Sequence, residues 1–295
     1  MIFIVIPHLL LKFLIVKFKK NVDLRIGKVL ILYKYYGFNS GESALESERL
    51  GFRTPTHFND PFEASVVEGK SFTKDRIQQT LNNVAILSLT RNPLNSLMWA
   101  HYGDEHRGFV IGYDVEIPFL KCKEANLIPV DKGNVIYTKT KPFIKTSTRT
   151  TTTLCNAIDG IYDDEDNQTK ELIDHLFLNK DTIWSYEEEV RIVKRVSSVI
   201  METHEYWENP YNRYSTLSRE IRPGFSQEII PGLKIYDHQV KIKEVYLGAR
   251  NSYLKDKDEC IAKLLPKVQK KGAKLYSVSV ETKSWNLAKT LIRSL

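Results

Sequence analysis

Short runs rich in β-branched and aromatic residues recur along this chain with no regular helix between them. That spacing limits the fold more than any other feature. "VLILYKYY" (Val29 to Tyr36), "VAILSLT" (Val84 to Thr90), "GFVIGYD", "NVIYT", "KIKEVYLGA" and "KLYSVSV" each read as a strand. Helical spacing marks Thr73 to Asn83 and "QTKELIDHLFLNK", with Leu172, Ile173, Leu176 and Phe177 on one face. It also predicts a long helix around Cys260, Ile261, Leu264, Leu265 and Val268. Shorter helices are expected at Glu42 to Leu50, stopped by Gly51, and at Asn95 to Gly103, capped by Asn95. "FRTPTHFNDPFEAS" and the Thr-rich stretch between Lys139 and Thr153 read as loops. An irregular order of this kind predicts an α+β fold, with a mixed or antiparallel central sheet and flanking helices, rather than a doubly wound one.

No linker divides the chain, so residues 29–295 are expected to form a single α+β domain of catalytic type, preceded by an apolar and basic extension over 1–28. The run from Ile2 to Val16 is broken by Pro7, His8 and Lys12. It falls short of the roughly 20 apolar residues a spanning helix needs. Lys17, Lys19 and Lys20 follow it, whereas a secretory signal places its positive charges first. Three readings stay open: a packed extra element, a peripheral membrane contact through residues 1–20, or an upstream extension from a misassigned start codon.

The chain has 295 residues, 42% hydrophobic and 27% charged, which is an ordinary globular composition. Its net charge of +7 favours an anionic partner such as nucleic acid, a nucleotide or a membrane surface. Three scattered cysteines, Cys122, Cys155 and Cys260, form no CxxC pair and fit a reducing cytoplasm. The dinucleotide-binding glycine fingerprint, the P-loop, HExxH and GxSxG are all absent from the sequence. "HYGDEHRG" gathers His101, Asp104, Glu105 and His106, but no second cluster has ligand spacing, so a polar loop is preferred and no metal is expected.

"WSYEEEVRI" (Trp184 to Ile192) sets three glutamates in an aromatic and β-branched context. One reading is a helix start with acids in its first turn, favoured by the helix dipole. The other is a strand, which puts Glu187, Glu189 and Arg191 on one face and Glu188 on the other. In a strand Glu187 and Glu189 are about 6.6 Å apart, and at an effective dielectric of about 20 they repel by about 2.5 kcal/mol. Arg191, equally far beyond Glu189, roughly cancels that repulsion there. Glu189 is therefore expected to stay ionised, and Glu187 is the one expected to be raised.

"LYKYY", "RTPTHFNDPFEA", "LMWAHYGDEHRGFVIGYD", "VIYT", "WSYEEEVRI" and "IKEVYLG" follow one another over about 220 residues. This series resembles the prokaryotic family called domain of unknown function 2971. Its arrangement is in turn similar to ADP-ribosyltransferases, which open on a strand bearing His or Arg and close on one bearing the catalytic Glu. The resemblance implies an ADP-ribosyltransferase-like fold with NAD as substrate. It implies that Glu189 bonds the nicotinamide ribose and stabilises the oxocarbenium, and that Glu187 orients or deprotonates the acceptor. Lys34 takes the place of the first-strand His or Arg, between Tyr33 and Tyr35; it differs from the transferase pattern in donating as a point charge. Asn59, Asp60 and Glu63 are expected on a loop over the ligand, or alternatively in a plain Asx turn. Trp99, His101 and Tyr102 are expected either as an aromatic wall or as core and surface. Arg191 is expected near the cofactor.

Two classes of function follow. One is an NAD-using toxin or antiviral-defence effector that modifies a macromolecule, RNA or DNA included, and is accompanied by an antitoxin or defence-complex partner. The other is a non-catalytic nucleic-acid-binding module, gripping single strands through "EYWENPYNRYSTLSRE" (Glu205 to Glu220) with Arg213 and Arg219. Convergence of Lys34, Glu187 and Glu189 in one cleft separates the two.

Overall fold

The β-branched and aromatic runs form strands, and most of them join one sheet. The computed structural model describes residues 30–63, 67–68, 71–123, 126–141, 144–145, 147–160, 167–196, 198–205, 214–221, 225–256, 258 and 260–293. The N-terminal extension 1–28 lies outside the described residues, as do residues 206–213 of the 205–220 stretch. Residues Ile31–Leu295 group into one compact unit. The strands are β1 (Ile31–Tyr36), β2 (Arg49–Arg53), β3 (Val67–Glu68), β4 (Val84–Thr90), β5 (Phe109–Asp114), β6 (Ile136–Thr138), β7 (Ile144–Lys145) and β8 (Asn179–Asp181). They continue with β9 (Glu189–Arg195), β10 (Ser198–Glu205), β11 (Tyr214–Ile221), β12 (Phe225–Ile230), β13 (Leu233–Gln239), β14 (Ile242–Leu247), β15 (Lys274–Val280) and β16 (Leu287–Leu291).

Among the described residues the central sheet runs β12-β13-β2-β4-β1-β5-β14-β15-β16, with β9 added on β4. Every pairing in it is antiparallel except β14 with β15. Two-stranded ribbons form from β10 with β11, β3 with β7, and β6 with β8. The architecture is thus α+β with a mainly antiparallel central sheet and flanking helices.

β4 is apolar on both sides because helices and loops cover both faces. Ala85, Leu87 and Leu89 join the core beneath the helix Phe38–Ser47 and Leu265, while Val84 and Ile86 join a second core with Leu154, Ile158, Ile173 and Phe177. The helices Ser71–Thr80, Thr148–Asp159 and Asn167–Phe177 supply that second core. A third core packs Trp99 of the helix Ser96–Tyr102 against Tyr35, Val110 and Tyr246.

Four local readings are corrected. Gly51 does not stop a helix: the helix ends at Ser47 with Glu48 in the left-handed region, and Gly51 lies inside β2. The Thr-rich loop is in part the helix Thr148–Asp159, capped by Ser147 and closed by left-handed Gly160. The long helix near residue 265 is a π-helical turn, Cys260–Leu264, followed by the short helix Leu265–Lys270. Pro266 stands in the first turn of that helix, where its missing N–H costs nothing. The three glutamates are not all strand: Glu187 ends the 3-10 turn Thr182–Glu187, Glu188 is left-handed with φ 46°, and β9 begins at Glu189.

Candidate functional site

A cleft opens where two strands part company along β4. One edge of β4 pairs with β9 over its whole length, Val84 with Arg195 through Thr90 with Glu189. The other edge is bridged twice, by Tyr33 of β1 opposite Thr90 and by Arg53 of β2 opposite Ile86. Between those bridges β1 and β2 diverge. Lys34 fills the gap electrostatically, donating from Nζ to the Ser88 carbonyl at 3.3 Å. The hollow there has a volume of about 420 Å³. Tyr33, Lys34, Tyr35, Arg53, Asn59, Glu63, Ser88, Tyr102, Lys180, Glu187 and Glu189 all line it.

The turn before β9 aims the carboxylates. Asp181 starts it, its side chain accepting from the Ile183 amide at 2.9 Å. Glu188, between the turn and β9, takes a left-handed conformation and stays exposed, while Glu187 and Glu189 on either side of it are buried and line the hollow. Asn92 holds the Glu188 carboxylate at 3.2 Å on the outside. Asn95 fastens this turn to the helix Ser96–Tyr102: its Oδ1 caps the Met98 amide at 3.0 Å, and its Nδ2 donates to the Tyr186 carbonyl at 2.9 Å. From that helix Tyr102 donates to Glu187 Oε1 at 2.8 Å. The Glu189 amide in turn donates to the Tyr137 hydroxyl at 2.9 Å. On the far edge of β9, Gly133 accepts from the Arg191 amide at 2.7 Å. A Cβ on Gly133 would stand 1.7 Å from the Arg191 carbonyl oxygen, so this approach requires glycine.

Three carboxylates, Glu63, Glu187 and Glu189, surround two cations, Lys180 and Arg191. Lys180 Nζ lies 3.1 Å from Glu63, 2.6 Å from Glu187 and 3.1 Å from Glu189. Arg191 grips Glu189 from Nε at 2.8 Å and from Nη2 at 3.0 Å, bonds Glu63, and donates from Nη1 to the Phe177 carbonyl at 2.8 Å. The set carries one negative charge in excess. Burial pushes the Glu187 carboxyl above its ordinary value and the neighbouring Glu189 adds to that, against the pull of Lys180. Burial would raise Glu189 too, but Arg191 and Lys180 outweigh it and hold Glu189 well below the usual carboxylate range. The surrounding acids likewise outweigh burial for Lys180 and keep it charged.

Opposite this cluster, burial pushes Lys34 down to about 8, with Arg53 acting in the same direction and Glu189 opposing. Tyr33 donates to Glu244 at 2.9 Å, and Tyr35 donates to the Asn92 carbonyl at 2.9 Å, so hydrogen bonds fix both rings that flank Lys34.

Tyr33, Lys34, Tyr35, Asn59, Glu63, Tyr102, Glu187 and Glu189 therefore meet in one hollow. Asp60 builds the Asx turn, accepting from the Phe62 amide at 2.9 Å, and lines an adjoining hollow instead. Trp99 is wholly buried, donates to the Pro93 carbonyl at 3.0 Å and lies edge-on to Tyr35, so it supports the cleft from behind. His101 is exposed and outside the hollow. Arg191 is buried behind Glu189 and neutralises it rather than lining the hollow. Lys180 and Arg53 also line the hollow, and no local sequence signal marks either. Lys180 stands at the polar end of a helical pattern, and its place comes from the β6–β8 ribbon, which sets it opposite Tyr137. Among the described residues no group of three or more His, Cys, Asp or Glu is arranged to hold a metal ion. No helix among them is long and apolar enough to cross a membrane.

Residues 98–192 match the family described as Protein of unknown function (DUF2971). The match supports the family resemblance read from the motifs, and it includes Tyr102, Lys180, Glu187 and Glu189. Lys34, Asn59 and Glu63 lie outside the matched segment. No curated protein and no solved structure matches the chain.

Proposed function

We propose that the protein is an NAD-consuming enzyme of ADP-ribosyltransferase type, acting on a macromolecule as a toxin or antiviral-defence effector. The observation that carries this reading is that Lys34, Glu187 and Glu189, from distant parts of the chain, line one hollow. A binding module has no need of that convergence. In the reaction, the bond between ribose C1′ and the nicotinamide nitrogen breaks, and its electron pair leaves with neutral nicotinamide. Positive charge develops on the ribose. Glu189, held ionised by Arg191 and Lys180, faces that charge. Preorganised charge of this kind is effective because it needs no rearrangement as the reaction proceeds. An O–H or N–H of the acceptor then bonds to C1′, and its proton passes to Glu187, whose raised pKa suits a general base. Lys34 and Arg53, which line the same hollow, would meet the dinucleotide's phosphates. Incubation with NAD, scoring nicotinamide release and labelling of protein and nucleic-acid acceptors, tests the reading. A well-folded chain that releases no nicotinamide with any acceptor refutes it.

The net charge of +7 favours a second reading, a nucleic-acid-binding module without catalysis. Oligonucleotide binding together with no NAD turnover would select it.

A further inference from the structure

A second hollow of about 610 Å³ adjoins the first and shares Asn59, Glu63 and Lys180 with it. Its character differs. Phe62 and Ile183 expose 70% and 71% of their surface there, beside a half-buried Trp184. Exposed apolar side chains gathered around a concavity are uncommon unless something binds them. Cations accompany the rings: Lys141 Nζ stands 5.4 Å from the Phe62 ring and Lys180 Nζ 5.3 Å from Trp184, while Lys139 lies exposed at the rim. The acids of this hollow have structural partners. Asp60 and Asp181 hold turn amides, and Glu63 bonds Lys180 and Arg191.

Each hollow thus has its own rings and its own cations, and the two meet at one wall. Group transfer needs such an arrangement, with the donor on one side and the acceptor on the other. We propose that the second hollow is the acceptor subsite and takes an unstacked base of a single-stranded nucleic acid, its ring against Trp184 and Phe62 and its phosphates toward Lys139 and Lys141. The proposal rests on reading the first hollow as the NAD site. A ring platform edged by lysines is the usual means of holding single strands, since every base has a face to stack.

The test is binding of a dye-labelled, mixed-sequence single-stranded oligonucleotide to the full chain by fluorescence anisotropy, without NAD. Binding is expected, weakening steeply with added salt. Trp184→Ala is expected to weaken it by about tenfold or more. Phe62→Ala and Lys141→Gln, both at exposed positions, should weaken it by smaller factors, with thermal melting as the check on folding. Equal affinity in wild type and all three variants overturns the proposal. So does a raised KM for NAD in Trp184→Ala with oligonucleotide affinity intact, which would make this hollow the adenosine half of the dinucleotide site. Trp184-dependent oligonucleotide binding in a chain that releases no nicotinamide refutes the NAD reading and the acceptor role together. Nicotinamide release without any oligonucleotide binding leaves the NAD reading standing and overturns only this proposal.

Discussion

Glu187 and Glu189 share a single ammonium group, yet their proton affinities are pushed in opposite directions. Lys180 Nζ stands 2.6 Å from one and 3.1 Å from the other. The difference comes from Arg191, whose guanidinium bonds Glu189 twice, whereas Glu187 has the neutral hydroxyl of Tyr102 as its second partner. One carboxylate is thereby kept charged beside another able to take a proton, a pairing suited to a reaction that develops a cation and then releases a proton.

Glu189→Gln keeps the shape of the side chain and removes the charge facing the ribose. Nicotinamide release should fall by about a hundredfold or more, the cost typical of losing one preorganised electrostatic partner. Glu188→Gln should change little, since that side chain lies outside on Asn92. Steady-state release on both variants checks this, and equal losses would refute the assignment.

Glu187→Gln should depress labelling of an acceptor more than release to water. A general base must be unprotonated to act, so transfer should decline as pH falls through the raised Glu187 pKa. This acid limb should lie above the ordinary carboxylate value of 4.5. The variant should lose the limb. A pH profile of labelling in both proteins decides the matter; an unchanged limb assigns it to another group.

Lys34 governs the alkaline side. An anionic pyrophosphate favours the ammonium form, so NAD affinity should be full below pH about 8 and decline as pH rises through that value. Lys34→Met should weaken binding by roughly tenfold or more, the worth of a charged hydrogen bond, and should abolish this decline. Calorimetric titration across the pH range measures both effects. An affinity that rises with pH in the wild type would exclude Lys34 from the anion site.

Much of this site was legible because its residues sit in runs with strong local signals. Tyr33-Lys34-Tyr35 lies in a β-branched strand, Asn95 and Gly103 bracket their helix, and alternation put Glu187 and Glu189 on one side. Both do line the hollow, but not as two residues of one strand: Glu187 ends the 3-10 turn, and a left-handed Glu188, which no propensity of Glu announces, separates it from β9. Thr148–Asp159 was hidden because threonine is a poor helix former, and only the buried face, Thr151, Leu154, Cys155 and Ile158, sustains it. Lys180 could not be read at all. Its role depends on Glu63, Glu187 and Glu189 arriving from elsewhere in the chain, and a lone lysine after a helix carries no trace of them.

That dependence makes Lys180 the residue whose loss should be felt most in stability. Lys180→Met removes a cation that touches all three carboxylates. Arg191 retains Glu63 and Glu189 but makes no bond to Glu187, which would be left with Tyr102 alone. Removing one partner of a buried ion pair costs about 3–5 kcal/mol, because the other charge stays buried. The sign with pH follows from the raised Glu187 pKa. As pH falls, Glu187 takes up a proton more readily in the folded protein than in the unfolded chain, so the unpaired charge disappears and the penalty shrinks. Denaturant unfolding of wild type and variant at about pH 7 and about pH 5 should therefore show a larger gap at the higher pH. A gap that is the same at both would mean that Lys180 serves chiefly Glu189, whose lowered pKa keeps it ionised at either pH; a gap larger in acid would refute the pairing of Lys180 with Glu187.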